Sequence, residues 1–562
     1  MSATRSFRSV AIPGLLPGLL LAAVGCADSA PGEETPTDLT APGLIVTSPD
    51  RGTISGEVQS VTVRGTATDE MGIASVTVNG IPAAVAADGS FEATVDIYPG
   101  TNLLRTIAYD AAGNTSTDTR STLAGAMQSN SMPLPDSVLV TMSADTFRSV
   151  GEATSNMVEE ADLLSAIAAG NPVIDKGRPN GEDCLFVYAN INEFLLSSAD
   201  IQLAPAPGGL WLTADLTDLY AQFDGHYKVA CIRGNDDLFV SADGVTITGF
   251  LSTEVENKQF ALTLQNADVQ FDNLEIDATG FPGAILDIVD FFASFENIIR
   301  NMVIDNVVPM VDDALAGLSQ TKTTTVMGKT INFAVAPSII NFDAAGATVQ
   351  LDTTINVVGS ENGPGFVYTT NQVPNLDHAQ GFNVGLADDV LNQLLGGFWA
   401  AGGMTQTLDL TTGDYGPLGA LYDTIEISAL LPPTVNAHGD GGMMLNIGDL
   451  MATFYLDGAV VTKIAINGSV DVGADLAGGN LALALGAPEV DVDMLDEGVE
   501  GTNALSAEAF EELISFAAER LVGSSGSLLG ELPMPTLGGM QFEGVGIGGV
   551  NGYLLVEGAL GE

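Results

Sequence analysis

The chain has 562 residues, more than one ordinary domain holds. Its 17 Lys and Arg against 71 Asp and Glu leave a formal net charge of -54. That balance excludes a nucleic-acid partner, because no basic surface remains to neutralise phosphates, and it excludes bulk-charge steering to anionic lipid. Yet 46% of the residues are hydrophobic, only 16% are charged and the mean hydropathy is +0.28, so a large apolar interior under a thin acidic skin is expected.

Arg5 and Arg8 precede an apolar run, "AIPGLLPGLLLAAV", and small residues lead on to Cys26. This is the layout of an export signal. With a cysteine at the cleavage point it resembles a bacterial lipoprotein signal over residues 1–25, and the resemblance implies a lipid on Cys26 and a membrane-anchored protein at the outer membrane or cell surface. Beyond residue 26 no run of 18 uncharged apolar residues occurs; "FPGAILDIVDFFASF" comes nearest, and Asp287 and Asp290 interrupt it. Residues 26–43 are rich in Pro, Thr and acids and read as a flexible tether.

Residues 44–123 read as all-β. Short alternating strands are separated by turns at Asn79-Gly80, Asp88-Gly89 and Gly113-Asn114, which suits a small sandwich. "VTVRGTATDEMGIASVTVNG" and "IAYDAAGNTS" are similar to bacterial immunoglobulin-like modules, which serve mostly as spacers. Asp69, Glu70 and Asp110 are read as solvated turn carboxylates in preference to calcium ligands.

From residue 130 to 320 an amphipathic helix comes first, with Phe147, Val150, Thr154, Met157, Val158, Ala161 and Leu164 on one face. Long alternating strands follow. A second helix then carries the stripe Ile285, Ile288, Val289, Phe292, Phe295, Ile299, Met302 and Val303, and Pro309 is expected to kink or break it. Residues 325–562 repeat this order without repeating residues. Strands lead into the helix "GLADDVLNQLLGGFWAAGG", which carries Leu391, Leu394, Leu395, Phe398 and Trp399; more strands follow, and a last helix has Ser506 as its N-cap.

Little in the chain supports covalent chemistry. "MGKT" lacks the earlier glycine of a phosphate loop, since Thr323 stands there. His226, His378 and His438 have no metal-ligand spacing, and "VGSSGS" is not a nucleophile elbow. Asp388 and Asp389 are placed at a helix amino terminus, where the dipole favours carboxylates, so they are not read as a catalytic pair. Asp236-Asp237 and Glu511-Glu512 are read as solvated faces. No enzyme, cofactor or metal is expected. Cys184 and Cys231 lie in strand-like runs of an exported chain and can form a disulfide, although spacing does not give their separation.

"FNVGLADDVLNQLLGGFWAAGGM" resembles the helix that opens the second barrel in the family of bactericidal permeability-increasing protein, lipopolysaccharide-binding protein and the plasma lipid-transfer proteins. "LLPPTVNAHGDGGMMLNIGDLMATFY" is similar to the family's next landmark, and "LGELPMPTLGGMQFEGVGIGGVNGYLLVEGAL" to its carboxyl terminus. "LEIDATGFPGAILDIVDFFASFENIIRNMVIDNVVPMV" is similar to the strand and helix that close the first barrel. The resemblance implies an α+β fold: two elongated antiparallel barrels, each wrapped around a long helix, joined in a boomerang by a central sheet. It also implies a pocket for phospholipid or fatty-acid chains in each barrel. Phe147, Val150, Met157, Phe292, Phe295 and Ile299 would line the first, and Leu391, Leu394, Leu395, Phe398 and Trp399 the second. Small and flexible neighbours such as Gly396, Gly397 and Met302 would leave room for an alkyl guest.

Two departures stand out. The family's Cys-Pro after the first closing helix is Val308-Pro309 here. The first barrel's tip, rich in Lys and Arg in the antimicrobial members, reads "IRGNDDLF". A phosphate clamp is therefore not expected. The reading is an extracytoplasmic, lipid-anchored lipid-binding or lipid-transfer protein. The alternative is a surface adhesion or scaffold protein with the same fold and no lipid cargo.

Overall fold

The structure, a computed structural model, describes residues 38–561 except 57–58, 177–184, 279–287, 327, 370, 413–414, 416–417, 438–441, 478–479, 497–504, 507–508, 515–530, 534–535 and 538–540. The signal, Cys26, Cys184 and much of the last helix lie outside the described residues. Ser506 is within them, and its Oγ accepts from Ala509 N at 3.3 Å, as an N-cap does.

The chain is mostly β. Strands Gly43–Ser48, Ser60–Thr68, Ser90–Asp96 and Ala84–Val85 form one sheet of an amino-terminal sandwich. Thr53–Ile54, Thr115–Ala124, Gly100–Asp110, Ile73–Val78 and Ile81–Pro82 form the other. The inward positions of the two sheets, among them Val63, Val76, Phe91 and Leu104, make a separate core.

This module is docked, not free. Arg51 reaches across to the second half and pairs with Asp449 at 2.9 Å and Asp493 at 3.0 Å, as well as with Asp118 of its own module at 3.2 Å. Ser121 N and Oγ both donate to Asp449 Oδ2, and Asn467 Nδ2 donates to Thr119 O at 2.7 Å. The module's surface carries buried polar groups whose partners lie on residues 434–493.

Helix α1 (Ala144–Glu160) starts at Ser143, whose Oγ accepts from Thr146 N. The apolar stripe predicts one helix through Leu164, but the chain breaks at Ala161. Asp162 caps a new short helix, α2 (Leu163–Ala168), by accepting from Ser165 N. The competing local hydrogen bond of an Asx cap ends the first helix.

The strands Ile174–Lys176, Leu185–Leu195, Gly209–Val229, Ile232–Glu256 and Gln259–Asp272 then form a long antiparallel sheet, with Ser198–Ala206 beside the first part of Gly209–Val229. Leu210, Leu212, Ala214 and Leu216 face inward while alternate residues face out. Helix α3 (Ile288–Met302), a π-helical turn (Val303–Val307) and helix α4 (Val308–Ala316) return along this sheet. Pro309 does not break the helix. It sits in the first turn of α4, and the widened π turn before it absorbs the missing N–H and the clash of its ring.

A central seven-stranded sheet joins the halves, in the order Gln320–Val326, Lys329–Phe342, Gly346–Val357, Leu134–Ser143, Phe382–Ala387, Tyr553–Gly561 and Gln541–Val550. It brings together the strand before α1, the joint between halves and the carboxyl terminus. Helix α5 (Asp388–Ala400) leaves it to open the second half. There an eight-stranded sheet covers a second cluster in which Tyr422 stacks on Phe510 and Phe454 packs tilted against both. The first half is thus an open sheet with helices against it, a half-barrel among the described residues.

Candidate functional site

The first half has an unpartnered sheet edge that α1 closes. Among the described residues strand Ser198–Ala206 is paired on one side only, and its Ile201 N donates to Ser155 Oγ at 2.8 Å and its Ala199 N to Glu159 Oε1 at 3.0 Å. Gly151 lets the helix come this near, since a Cβ there would lie 2.3 Å from Ile201 O. The opposite edge, Gln259–Asp272, carries Phe271, which stacks on Phe295 at 5.6 Å and meets Phe292 edge-on at 5.4 Å. Phe223 from the sheet floor meets Phe295 at 6.1 Å. Helix α1 thus covers one edge and α3 packs on the other over an apolar floor, with the π turn and α4 as the helical neighbours of α1.

Of the six residues expected to line this space, Phe147, Val150, Phe295 and Ile299 belong to one buried core. Met157 and Phe292 are 37% and 36% exposed, on the helices that flank the interior. Between α2 and the junction of α3 with the π turn is a cleft of about 390 Å³. Its apolar wall is made by Ile167, Pro172, Val173, Ile298 and Met302, and its polar side by Asn301, Asp305 and Asn306. Ile167, Val173 and Ile298 also pack against the buried core, and Met302 is part of it, so the wall is continuous with the interior. Sequence reading does not locate this cleft. It depends on the break at Ala161 that turns α2 toward α3.

The five expected residues of α5 sit differently. Leu391, Leu394, Leu395 and Phe398 are buried, and so are Asn392 and Gln393 on the other faces, so the helix is enclosed all round. Trp399 Nε1 donates to Ala429 O at 2.8 Å. The glycines read as room for an alkyl guest are filled by protein: a Cβ on Gly396 would lie 2.8 Å from Phe366 Cβ, and one on Gly397 2.9 Å from Val357. That expectation is corrected, because close-packed neighbours occupy the space.

Asp388 and Asp389 are at the start of α5 as expected, but buried to 5% and 3% exposure. Asp388 accepts from Asn371 Nδ2 at 2.7 Å and Ala437 N at 3.1 Å; Asp389 accepts from Thr369 N at 2.9 Å. Burial pushes both carboxyls up, Asp389 to about 7. Burial first, then the nearby Asp136 and Asp389, pushes the Tyr553 phenol up to about 12. The pair ties α5 to residues 369–371 and 434–437, in a packing role.

Cys231 is disulfide-bonded. It lies at the turn after Val229, which pairs with Leu185, the residue after Cys184. In the amino-terminal module Asp38, Asp69 and Asp110 place oxygens within 4.8 Å of one another. Asp110 is buried, not solvated, and accepts from Gly113 N at 2.6 Å and from Asn114 N at 2.8 Å, so its turn holds it.

Residues 42–125 match the family model of glucodextranase domain B, and the matched segment coincides with the sandwich. No curated protein matches the chain in sequence. Among solved structures, lipopolysaccharide binding protein aligns at 12% identity and a TM-score of 0.42, over 76% of this chain and 98% of that one. P47 of Clostridium botulinum E1 aligns at 10% identity and a TM-score of 0.28, over 76% of this chain and 100% of that one.

Proposed function

We propose that the chain is an exported, lipid-anchored protein that binds acyl chains in its first half, within a tandem-barrel architecture. The observation that carries this reading is the cleft between α2 and the π turn, whose apolar wall is continuous with the core under α1 and α3. Burial supplies about 0.8 kcal/mol per methylene, so a long chain binds without a phosphate clamp. The order of family-like motifs along residues 130–562 supports the same reading. The filled glycines of α5 favour a structural role for that helix, so the scaffold alternative applies to it and the lipid site is assigned to the first half.

Native mass spectrometry of the chain starting after Cys26 tests the proposal, because no covalent lipid is then counted. Near-stoichiometric phospholipid or fatty acid is expected. Lipid-free protein that takes up no fluorescent fatty acid would favour the scaffold.

A further inference from the structure

The mouth of the cleft has a defined chemistry. Asp305 is the one ionisable group among its lining residues, and its other polar side chains are the amides Asn301 and Asn306. Among the described residues no Lys, Arg or His lines it. The neighbouring cation on α3, Arg300, is held by Glu296 and donates to Asn297 Oδ1 at 2.7 Å. Asn306 Nδ2 donates to Met302 O at 2.8 Å, which fixes that side chain across the π turn. The π turn itself sets Asp305 at the mouth, immediately beyond the apolar wall formed by Ile298 and Met302.

An amphiphile whose chain enters along that wall leaves its head beside one carboxylate and two amides. A head group that is only anionic meets the Asp305 carboxylate there, in a chain of net charge -54. An ammonium head meets a partner. We propose that this cleft is the head-group site for an amphiphile bearing an ammonium group, with Asp305 as its counter-ion. The inference rests on the reading of the first half as the acyl-chain site and adds the class of head group to it.

The test uses the full chain at low salt, where an exposed carboxylate is least screened. Dodecyltrimethylammonium, dodecanoate and choline are titrated separately by calorimetry. The ammonium amphiphile is expected to bind more tightly than the carboxylate of equal chain length, and choline to bind far more weakly than either. Asp305→Asn is expected to weaken the ammonium amphiphile by about two- to fivefold, the size of an exposed charge contact, and to leave dodecanoate unchanged or tighter. Ala166→Phe, at an exposed position on the cleft wall, is expected to weaken the ammonium amphiphile with an unchanged melting temperature. Binding of the ammonium amphiphile that Asp305→Asn leaves unaltered, whether equal to dodecanoate or tighter through the net charge of -54 alone, overturns the head-group assignment and leaves acyl-chain binding intact. Choline binding as tightly as the amphiphile shows a soluble-amine site and overturns the lipid part. Binding of neither amphiphile overturns both readings.

Discussion

Arg51 is one of 17 cations in the chain, and it is spent on a buried joint. Its guanidinium donates to Thr119 O at 2.7 Å and faces three carboxylates, Asp118, Asp449 and Asp493; Arg120 shares Asp118 at 2.8 Å. Two cations against three acids leave one negative charge in excess. Burial opposes the Arg51 charge, but the carboxylates of Asp493, Asp118 and Asp449 outweigh it and raise its pKa. Burial likewise outweighs the attraction of Arg51 at Asp493, and Asp118 adds to it, so Asp493 is pushed up from 3.8 to about 7. A carboxyl raised in the folded state binds its proton more tightly there. Its contribution is fully present below the unfolded value of 3.8 and is lost as pH rises through about 7. The joint should therefore weaken from about pH 4 to about pH 7, by a free energy on the order of a few kcal/mol. Asp493→Asn keeps an acceptor for Thr119 N and removes the titration. Its melting temperature should vary less with pH over that interval than the parent's, and an equally steep profile would show that another group titrates.

At the scale of elements, helices do two jobs. Helix α1 closes a sheet edge by accepting from Ala199 N and Ile201 N, and leaves Met157 outward beside the interior. Helix α5 is a packed strut. Asn392 acts as a strand partner, donating to Val435 O at 3.0 Å and accepting from Val435 N at 2.7 Å. Trp399 and both carboxylates bind backbone amides or carbonyls as well. Gly396→Leu should consequently destabilise the chain by about 1–3 kcal/mol in urea unfolding, through overpacking against Phe366. Fatty-acid uptake by folded protein should not change. Reduced uptake at unchanged stability would instead place a ligand against α5.

At the scale of the whole molecule, periodicity made the local elements legible. The stripe from Phe147 and the alternation through Leu210–Leu216 identify the helix and sheet faces that do form the first core. The all-β character of the amino-terminal module is legible too, because turn residues recur through it. Topology was not. Arg51 and Asp449 are 398 positions apart, and nothing local in either marks the joint. A stripe of Leu with Gly reads alike whether a lipid or Phe366 fills the gap, since spacing reports which face is apolar and not what covers it. The cleft depended on an Asx cap at Asp162 and a π turn before Pro309, both small departures from a continuous helix.

The central claim is that acyl chains are held in the first half, in the cleft between α2 and the junction of α3 with the π turn. Photo-crosslinking tests it most directly: the full chain is incubated with a diazirine-bearing fatty acid, irradiated, digested and mapped by mass spectrometry. Adducts should concentrate on peptides carrying Ile167, Val173, Ile298 and Met302, with few on α5. Adducts confined to residues 388–400, or scattered over the exposed surface without saturation, would contradict it.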